Sequence, residues 1–255
     1  MARPPVVADA RVVTASDGSV IGGTTTTPAS AVRRNLRRLG TALLVAGVLA
    51  LAWTFVVWRW NDPFSGLYTR YEQHRLSSRL EVVVAAARPT PPSTAAVATA
   101  ARRFRREVRP GDPIGRLAIP RLGASFVAVE GTDAASLRLG PGRDARSFMP
   151  GEGNLVYIAG HRTTYAAPFA HIDALRPGDV IRLAMPYGTF RYVVTGHSIV
   201  AADDMGVLRP RRSEVLALQA CHPRFFATHR YIVWARLREV VTARGRLVYR
   251  RAAGA

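Results

Sequence analysis

The hydrophobic positions of the chain fall into one long run and many short ones. The long run, Leu39–Trp58, contains no charged residue. At about 1.5 Å of rise per helical residue, a segment of this length spans roughly 30 Å, the thickness of the hydrocarbon core of a bilayer. The pattern therefore predicts a transmembrane anchor at residues 39–58.

The charges on either side of this run predict its orientation. Only Arg59 directly follows the run, whereas a cluster of arginines precedes it: Arg33, Arg34, Arg37 and Arg38. Positive residues favour the cytoplasmic side, so we expect a single-pass protein of the cell membrane with a cytoplasmic N-terminus and an extracytoplasmic domain. A cleaved signal peptide is the alternative, because Ala50-Leu51-Ala52 offers a small-x-small cleavage site.

The rest of the chain divides by composition. Residues 1–38 lack a sustained hydrophobic period and predict a disordered, basic cytoplasmic tail. Residues 59–110 predict an extracytoplasmic stalk, with a weakly amphipathic stretch and a stiff Pro-rich spacer at Arg88–Thr94. Residues 111–240 predict a globular domain, and residues 241–255 a basic C-terminal tail.

Short apolar runs, punctuated by Gly, Pro and Asp, follow Gly111 and predict β-strands. Helical turns are predicted at Ala134–Leu139 and Asp204–Leu208, and Pro186-Tyr187-Gly188 predicts a hairpin turn. Short strands without long alternating helices indicate a mainly β domain, either a closed barrel or a sandwich. The predicted strands are Ile114–Ile119, Phe126–Val129, Leu155–Ala159, Val180–Met185, Phe190–Val194, Val215–Ala220 and Tyr231–Leu237.

The formal net charge of +19 comes from 36 basic residues, all arginine, against 17 acidic ones. The segment before Gly111 carries +10 and residues 111–239 only +5, so the flanks hold most of the charge. We expect no nucleic-acid partner, because the basic runs lack interleaved aromatics and any nucleic-acid-binding motif. One run is either a solvated segment or a tether to anionic lipid or cell-wall polymer: Arg102, Arg103, Arg105, Arg106 and Arg109.

Cys221 is the only cysteine of a domain that we expect outside the cytoplasm. Exported proteins usually pair their thiols, so a lone cysteine is either a small buried hydrophobe or a chemical group. Cys221 ends an apolar strand and His161 follows another, while Arg230 lies at the head of the next strand. A nucleophilic thiol needs a base, and acyl transfer needs a donor for the oxyanion. These three residues are the candidate site.

Three segments around these residues resemble the sortase family, and class E in particular. They are Gly160–Tyr165 with Pro168-Phe169, Leu175–Asp179, and Cys221–Phe225. The resemblance covers roughly residues 111–240. It implies a closed eight-stranded β-barrel with short helices and a membrane-anchored cysteine transpeptidase. It also implies that Cys221, His161 and Arg230 are the catalytic residues.

The resemblance further implies a substrate and an acceptor. The substrate is a secreted protein with a Leu-Ala/Pro-x-Thr-Gly-like sorting signal, cleaved between Thr and Gly through a thioester. The acceptor is an amine of a peptidoglycan precursor or of the cell wall, and no cofactor or metal is needed. Class E favours Ala over Pro in the signal and wall anchoring over pilus assembly.

The chain departs from the family beside the nucleophile. Sortases usually carry Thr-Leu-x-Thr-Cys, whereas this chain has Ala217-Leu218-Gln219-Ala220-Cys221. Losing a well-placed hydroxyl can cost orders of magnitude in rate. The alternative function is therefore a weak or inactive wall-binding or scaffold module on a membrane anchor. The candidate substrate-binding residues are Thr163, Thr164, Tyr165, Phe169 and Ala220.

The remaining candidates have weaker patterns. His222 adjoins Cys221, but neighbours on a strand point to opposite faces. Asp173 is a turn or capping residue, or it orients the His161 loop. The other histidines form no zinc motif, and no acidic cluster indicates calcium. An L,D-transpeptidase usually has His-Gly-Cys at its nucleophile, and papain-like enzymes place Cys before His, so neither class fits this chain.

Overall fold

The structure is a computed structural model that describes residues 28–60 and 63–249 of the 255-residue chain. Most of the predicted cytoplasmic tail, and the last six residues of the predicted C-terminal tail, lie outside the described residues. The described residues up to Ala52 belong to one compact unit, and the described residues from Trp53 onward form a second.

Helix α1 spans Pro28–Trp60, and within it Ala31–Val56 is long and apolar enough to cross a membrane, with a mean hydropathy of 2.1. The helix begins before the predicted anchor. The end of the predicted disordered tail, residues 28–38, is therefore helical. This stretch is rich in Ala and Arg, which are good helix formers, and no glycine interrupts it.

The second unit contains three further α-helices, three short 3-10 helices and nine strands. All seven predicted strands are present. The α-helices are α2 (Pro63–Ala86), α3 (Thr94–Glu107) and α4 (Ala134–Leu139), and the 3-10 helices are Pro120–Leu122, Ile172–Ala174 and Met205–Leu208. The strands are β1 (Pro113–Ile119), β2 (Ala124–Glu130), β3 (Gly142–Arg143), β4 (Leu155–Ala159), β5 (Val180–Met185), β6 (Gly188–Ala201), β7 (Val215–His222), β8 (His229–Thr242) and β9 (Gly245–Val248).

Eight of these strands form a closed barrel. The sheet runs β6-β5-β1-β2-β3-β4-β7-β8, and β8 pairs again with β6 along almost its whole length. Strand β9 adds to β8 outside this ring. The expected closed eight-stranded β-barrel is thus confirmed, and the sandwich alternative is excluded.

The barrel interior is filled by side chains that alternate along each strand. In β6 the inward residues are Phe190, Tyr192 and Val194, which are at most 2% exposed. In β7 the residues Leu216 and Leu218 belong to the same interior cluster. Because the interior is packed, any chemistry has to take place on the outer face of the barrel or where the strands end.

Helix α2 packs on the barrel, although it lies in the predicted stalk. Leu76 and Leu80 are buried against Val127 and Val129 of β2. The Gln73 side chain acts as a strand partner, since its Oε1 accepts from the backbone N–H of Val127 and its Nε2 donates to the Val127 carbonyl, at 2.7 and 2.9 Å. The predicted boundary at residue 111 is therefore too late, because a weak amphipathic pattern does not show where such polar contacts fall.

Helix α3 also belongs to the barrel unit and carries most of the arginine run. Ser93 caps its N-terminus, and Val97, Ala101 and Phe104 are buried. The arginines occupy the other faces of the helix. Two of them are paired, Arg103 with Glu107 at 2.9 Å and Arg105 with Glu152 at 3.4 Å. The run is thus one face of a packed helix and not a separate solvated segment.

The predicted C-terminal tail is also partly ordered. Residues Glu239–Thr242 of β8 pair with Gly245–Val248 of β9, and Tyr249 donates its N–H to the carbonyl of Arg238 at 2.8 Å. The globular domain therefore extends beyond residue 240, at least to residue 249. Gly245 and Arg246 interrupt the apolar character of this short edge strand, so a pattern that depends on apolar runs does not reveal it.

Candidate functional site

Cys221 lies near the end of β7, on the face opposite to the barrel interior. Successive side chains of a strand alternate between faces. Leu216, Leu218 and Ala220 face the interior, whereas Gln219 and Cys221 line a cavity at the end of the barrel. The thiol is half-buried and therefore accessible from that cavity.

Strand β4 brings His161 to the same place. β4 pairs in parallel with β7, with Ala159 opposite Gln219, and the N–H of Gly160 donates to the Gln219 carbonyl at 3.0 Å. Extending this register by two residues places His161 beside Cys221. The parallel pairing therefore joins residues that are sixty positions apart in sequence.

Arg230 lies directly opposite Cys221 in the antiparallel β7–β8 pair. Its Nη1 donates to the carbonyls of Ala227 and His229, at 2.7 and 3.0 Å, which fixes one side of the guanidinium. Among the described residues Arg230 forms no ion pair, so its charge is not neutralised by a carboxylate. It is available to a ligand that develops negative charge.

One cavity of about 300 Å³ is lined by all three candidate catalytic residues. Its walls combine apolar side chains, such as Val207 and Leu208, with a polar patch around Asp144. Burial alone would raise the pKa of Asp144, but hydrogen bonds and the charge of Arg146 outweigh burial and lower it. The Asp144–Arg146 pair, at 2.6 Å, therefore stays charged.

His161 is the most unusual polar group in the cavity wall. Its Nε2 is buried without a hydrogen-bond partner among the described residues. Burial lowers the pKa of His161 below its ordinary value of 6.5, so the resting imidazole is neutral near pH 7. A neutral, unpaired ring nitrogen can accept a proton from a thiol or return one to a departing amine.

The loop after His161 holds the imidazole against an aromatic ring. The Tyr165 ring lies 4.9 Å from the His161 ring, centroid to centroid, and Tyr165 has a positive φ of 52°. The N–H of Tyr165 donates to the hydroxyl of Ser65 in α2 at 2.9 Å. Thr163 and Thr164 are partly exposed on the same loop. None of these three predicted substrate-binding residues lines the cavity, but all lie next to His161.

Phe169 and Ala220 are placed in the core. Both side chains are fully buried and belong to the interior cluster. The Phe169 ring lies so close to Gly160 that a Cβ there would come within 2.6 Å of it. Phe169 therefore packs beneath the His161 loop and does not face a substrate.

The positions of Ala217 and Ala220 bear on whether threonine hydroxyls there would reach the cavity. A side chain at 220 points into the barrel interior, and Ala217 is buried in a separate apolar cluster with Leu155, Tyr157 and Ile232. Neither position lines the cavity. In this chain a hydroxyl at 217 or 220 would enter packed apolar surroundings and would not reach the thiol from the cavity.

Several groups at the site were not among the sequence candidates. Asp144, Arg146 and Gln219 line the cavity, and Tyr157 donates to the Gln219 side chain at 3.2 Å. The sequence could have identified Gln219 as a cavity residue, since it lies two residues before Cys221 on a strand and so shares its face. No sequence pattern indicates the Asp144–Arg146 pair, because it reaches the cavity from a loop after β3.

Comparisons with known proteins cover the barrel. Residues 117–238 match the sortase domain family. The chain is 35% identical over 130 residues to Sortase D of Bacillus subtilis, which covers 49% of this chain and 64% of that protein. It is 30% identical over 91 residues to Sortase SrtE1 of Streptomyces coelicolor, which covers 32% of this chain and 26% of that protein. The match thus spans less than two thirds of either curated relative.

A solved structure shows the same fold. The lid mutant of sortase A from Corynebacterium diphtheriae aligns with a TM-score of 0.50 at 23% identity. The alignment covers 56% of this chain and 92% of that structure. At this identity the likeness supports the barrel fold and nothing finer.

Proposed function

We propose that the protein is a membrane-anchored cysteine transpeptidase, because residues 117–238 match the sortase domain family. One observation carries the proposal: Cys221, His161 and Arg230, from three separate segments, line one cavity at the end of the barrel. A thiol, an imidazole and a cation are the groups that acyl transfer through cysteine requires. Within the described part of the chain, Nε2 of this imidazole has no hydrogen-bond partner and the cation has no carboxylate beside it.

The proposed reaction has two halves. The neutral imidazole of His161 takes the proton of the Cys221 thiol. The resulting thiolate attacks the Thr carbonyl carbon of a Leu-Ala/Pro-x-Thr-Gly-like signal, and the guanidinium of Arg230 stabilises the oxyanion. The bond between Thr and Gly then breaks, and His161 gives a proton to the departing amine, leaving a thioester on Cys221. In the second half an amine of the cell wall attacks the thioester, forms an amide and releases the thiol.

We propose the partners and the location on the same basis. The substrates are secreted proteins that carry the signal, and the acceptor is a peptidoglycan precursor or a cell-wall amine. The apolar helix at Ala31–Val56 supports a membrane anchor. The arginines before the apolar run favour a cytoplasmic N-terminus, with the barrel outside the cytoplasm. Recovery of a mature protein that begins near Trp53 would instead indicate a cleaved signal peptide.

Class E stays a prediction. The longer of the two curated matches is to a Sortase D and the shorter to SrtE1. The class E segments favour Ala over Pro in the signal and wall anchoring over pilus assembly. Peptides that differ only at this position test the preference directly.

The experiment uses the purified full-length chain in detergent. It is incubated with Leu-Ala-x-Thr-Gly and Leu-Pro-x-Thr-Gly peptides, with and without a glycine-based amine, and the intact mass is measured. We expect an acyl adduct on Cys221 that disappears when the amine is added, together with the ligated peptide. Cys221→Ala is the control and should form neither. An unmodified thiol with every peptide would favour the wall-binding or scaffold alternative.

A further inference from the structure

Arg162 follows His161 directly, and the proposed chemistry does not use it. Its side chain is only 5% exposed. An arginine is always charged, and burying a charge is costly unless it is paired and hydrogen-bonded. Its Nη2 forms an ion pair at 2.8 Å with Asp173, which lies in the 3-10 helix Ile172–Ala174. A group this costly to bury needs an explanation beyond packing.

The second terminal nitrogen of the Arg162 guanidinium, Nη1, is turned toward Cys221. Nη1 of Arg162 donates to the backbone carbonyl of Cys221 at 3.3 Å and lies 3.0 Å from Nδ1 of His222. A guanidinium has no acceptor, so Nδ1 of His222 must carry the lone pair in this contact. The same side chain thus connects the loop after β4 with the end of β7.

The third contact is with β8. The guanidinium carbon of Arg162 lies 5.8 Å from the centre of the Tyr231 ring. Tyr231 directly follows Arg230 and pairs with Ala220, which directly precedes Cys221. Arg162 is therefore the chain neighbour of His161 and contacts the backbone of Cys221 and the chain neighbour of Arg230. It does not itself line the cavity.

We propose that Arg162 is a positioning residue that sets the placement of His161 relative to Cys221, with Asp173 holding its guanidinium in place. The inference rests on the proposed function and extends it to a residue outside the cavity. Lysine cannot replace arginine in this role, because a single ammonium lacks the planar fork that reaches two segments at once. A buried ion pair is weak evidence for a purely stabilising role.

The experiment measures how strongly His161 influences Cys221. Alkylation by iodoacetamide reports on Cys221 alone, since the chain has one cysteine. The rate at neutral pH is compared in the full-length protein, in His161→Asn, in Arg162→Lys and in the double variant. We expect Arg162→Lys to lower the rate nearly as far as His161→Asn does, and the double variant to show no further loss, because residues that act as a unit are non-additive.

Peptide cleavage gives the second readout. A misplacement of about 1 Å can cost about 100-fold in rate, so we expect Arg162→Lys to lower kcat by about 100-fold and to leave KM within about threefold. Asp173→Asn keeps a hydrogen-bonding group without the charge, and we expect a smaller loss in the same direction. It also serves if Arg162→Lys does not fold, because the Asp173 side chain is half-exposed.

Arg121→Lys is the matched control. Arg121 pairs with Asp179 at 3.2 Å and donates to the carbonyl of Ala174, so it anchors the same 3-10 helix as Asp173. It does not line the cavity. We expect neither alkylation nor kcat to change in Arg121→Lys. A loss of thermal stability in Arg121→Lys without a kinetic effect would show that weakening the anchoring of this 3-10 helix does not by itself change alkylation or kcat.

The outcomes separate this inference from the proposed function. If no peptide is cleaved but alkylation depends on both His161 and Arg162, the proposed function fails and the positioning role stands. If peptides are cleaved but Arg162→Lys and Asp173→Asn leave kcat and alkylation unchanged, the positioning role is wrong. Independent, additive effects of Arg162→Lys and His161→Asn would also overturn it.

Discussion

Buried polar groups are fully hydrogen-bonded at one end of strand β7 and not at the other. At one end Glu214, which precedes the strand, is buried and accepts hydrogen bonds from the Tyr192 hydroxyl at 2.6 Å and from the N–H groups of Gly151 and Gly153 at 2.9 and 3.1 Å. At the other end, about 23 Å away along the strand, Cys221 opens onto a cavity. There His161 has a buried nitrogen without a partner among the described residues.

This difference in hydrogen bonding distinguishes the end of β7 that stabilises the fold from the end that carries the candidate catalytic residues. Buried polar groups are almost always hydrogen-bonded, since an unsatisfied one costs about 1–3 kcal/mol. The Glu214 end follows this rule and closes the barrel. The Cys221 end breaks it at two atoms among the described residues, Nε of Arg162 and Nε2 of His161, and the proposed reaction needs His161 as proton donor and acceptor. Changes at the two ends should therefore have different consequences.

The largest expected effect is at the cysteine. We expect Cys221→Ala to lower the rate of peptide cleavage by about 10⁵-fold or more. Because the thiol is half-buried and alanine is smaller, the free energy of unfolding should change by less than about 1 kcal/mol. Peptide cleavage and urea unfolding of the same preparation measure both. Residual cleavage near the wild-type rate would place the nucleophile elsewhere.

The second effect is at His161. We expect His161→Asn to lower kcat/KM by about 10²–10⁴-fold. In the wild type, the rate should be bell-shaped in pH, with its acid limb below the ordinary value of 6.5, because burial lowers the pKa of His161. The acid limb should disappear in His161→Asn. His74→Asn, an exposed histidine of α2, is the control and should keep the profile unchanged.

The third effect is at Glu214 and concerns stability. Burial raises the pKa of Glu214 from 4.5 to about 7. Between these values the folded protein keeps a proton that the unfolded chain releases, so stability falls as pH rises from 4.5 through 7, by about 3 kcal/mol. Glu214→Gln should flatten this dependence in urea titrations from pH 4.5 to 8.

Glu107→Gln is the control for that experiment. Glu107 is exposed and pairs only with Arg103 among the described residues. Its removal should leave the slope of stability against pH unchanged. A wild-type protein that gains stability between pH 5 and 7, relative to Glu214→Gln, would contradict the assignment.

The smallest effect, on thermal stability, is expected at Ala220, which directly precedes Cys221 and faces the barrel interior. Threonine at this position would place a hydroxyl in the barrel interior, which costs about 1–3 kcal/mol without a partner. We expect Ala220→Thr to lower the melting temperature, by roughly 2–4 °C per kcal/mol, and not to raise turnover. Ala202→Thr, at an exposed position of the cavity wall, should leave the melting temperature unchanged. Faster turnover in Ala220→Thr would mean that its hydroxyl reaches the substrate.

Sequence patterns predicted the parts of this molecule that depend on local order. Apolar runs predicted all seven of the longer barrel strands, and strands β4 and β5 have the predicted bounds. Two strands were missed, because β3 has only two residues and β9 carries charge and glycine. The packing of α2 was missed for a different reason, since it depends on hydrogen bonds of Gln73 to a strand that lies more than fifty residues away.

The residue types available for chemistry follow from the amino-acid sequence alone. A single thiol, a histidine after one strand and an arginine at the head of another limit the site to very few combinations, whatever the topology. The long apolar run also follows from the sequence, because length and the absence of charge are properties of the segment alone.

Only the tertiary structure decided which of these groups meet and which are withdrawn. The parallel β4–β7 register brings His161 to Cys221, and the alternation of β7 turns Ala220 inward. Contacts with Asp173, the end of β7 and Tyr231 bury Arg162 beside the site. Burial and register arise from contacts between distant segments, and these contacts set the desolvation and hydrogen bonding of each side chain. No local pattern contains that information.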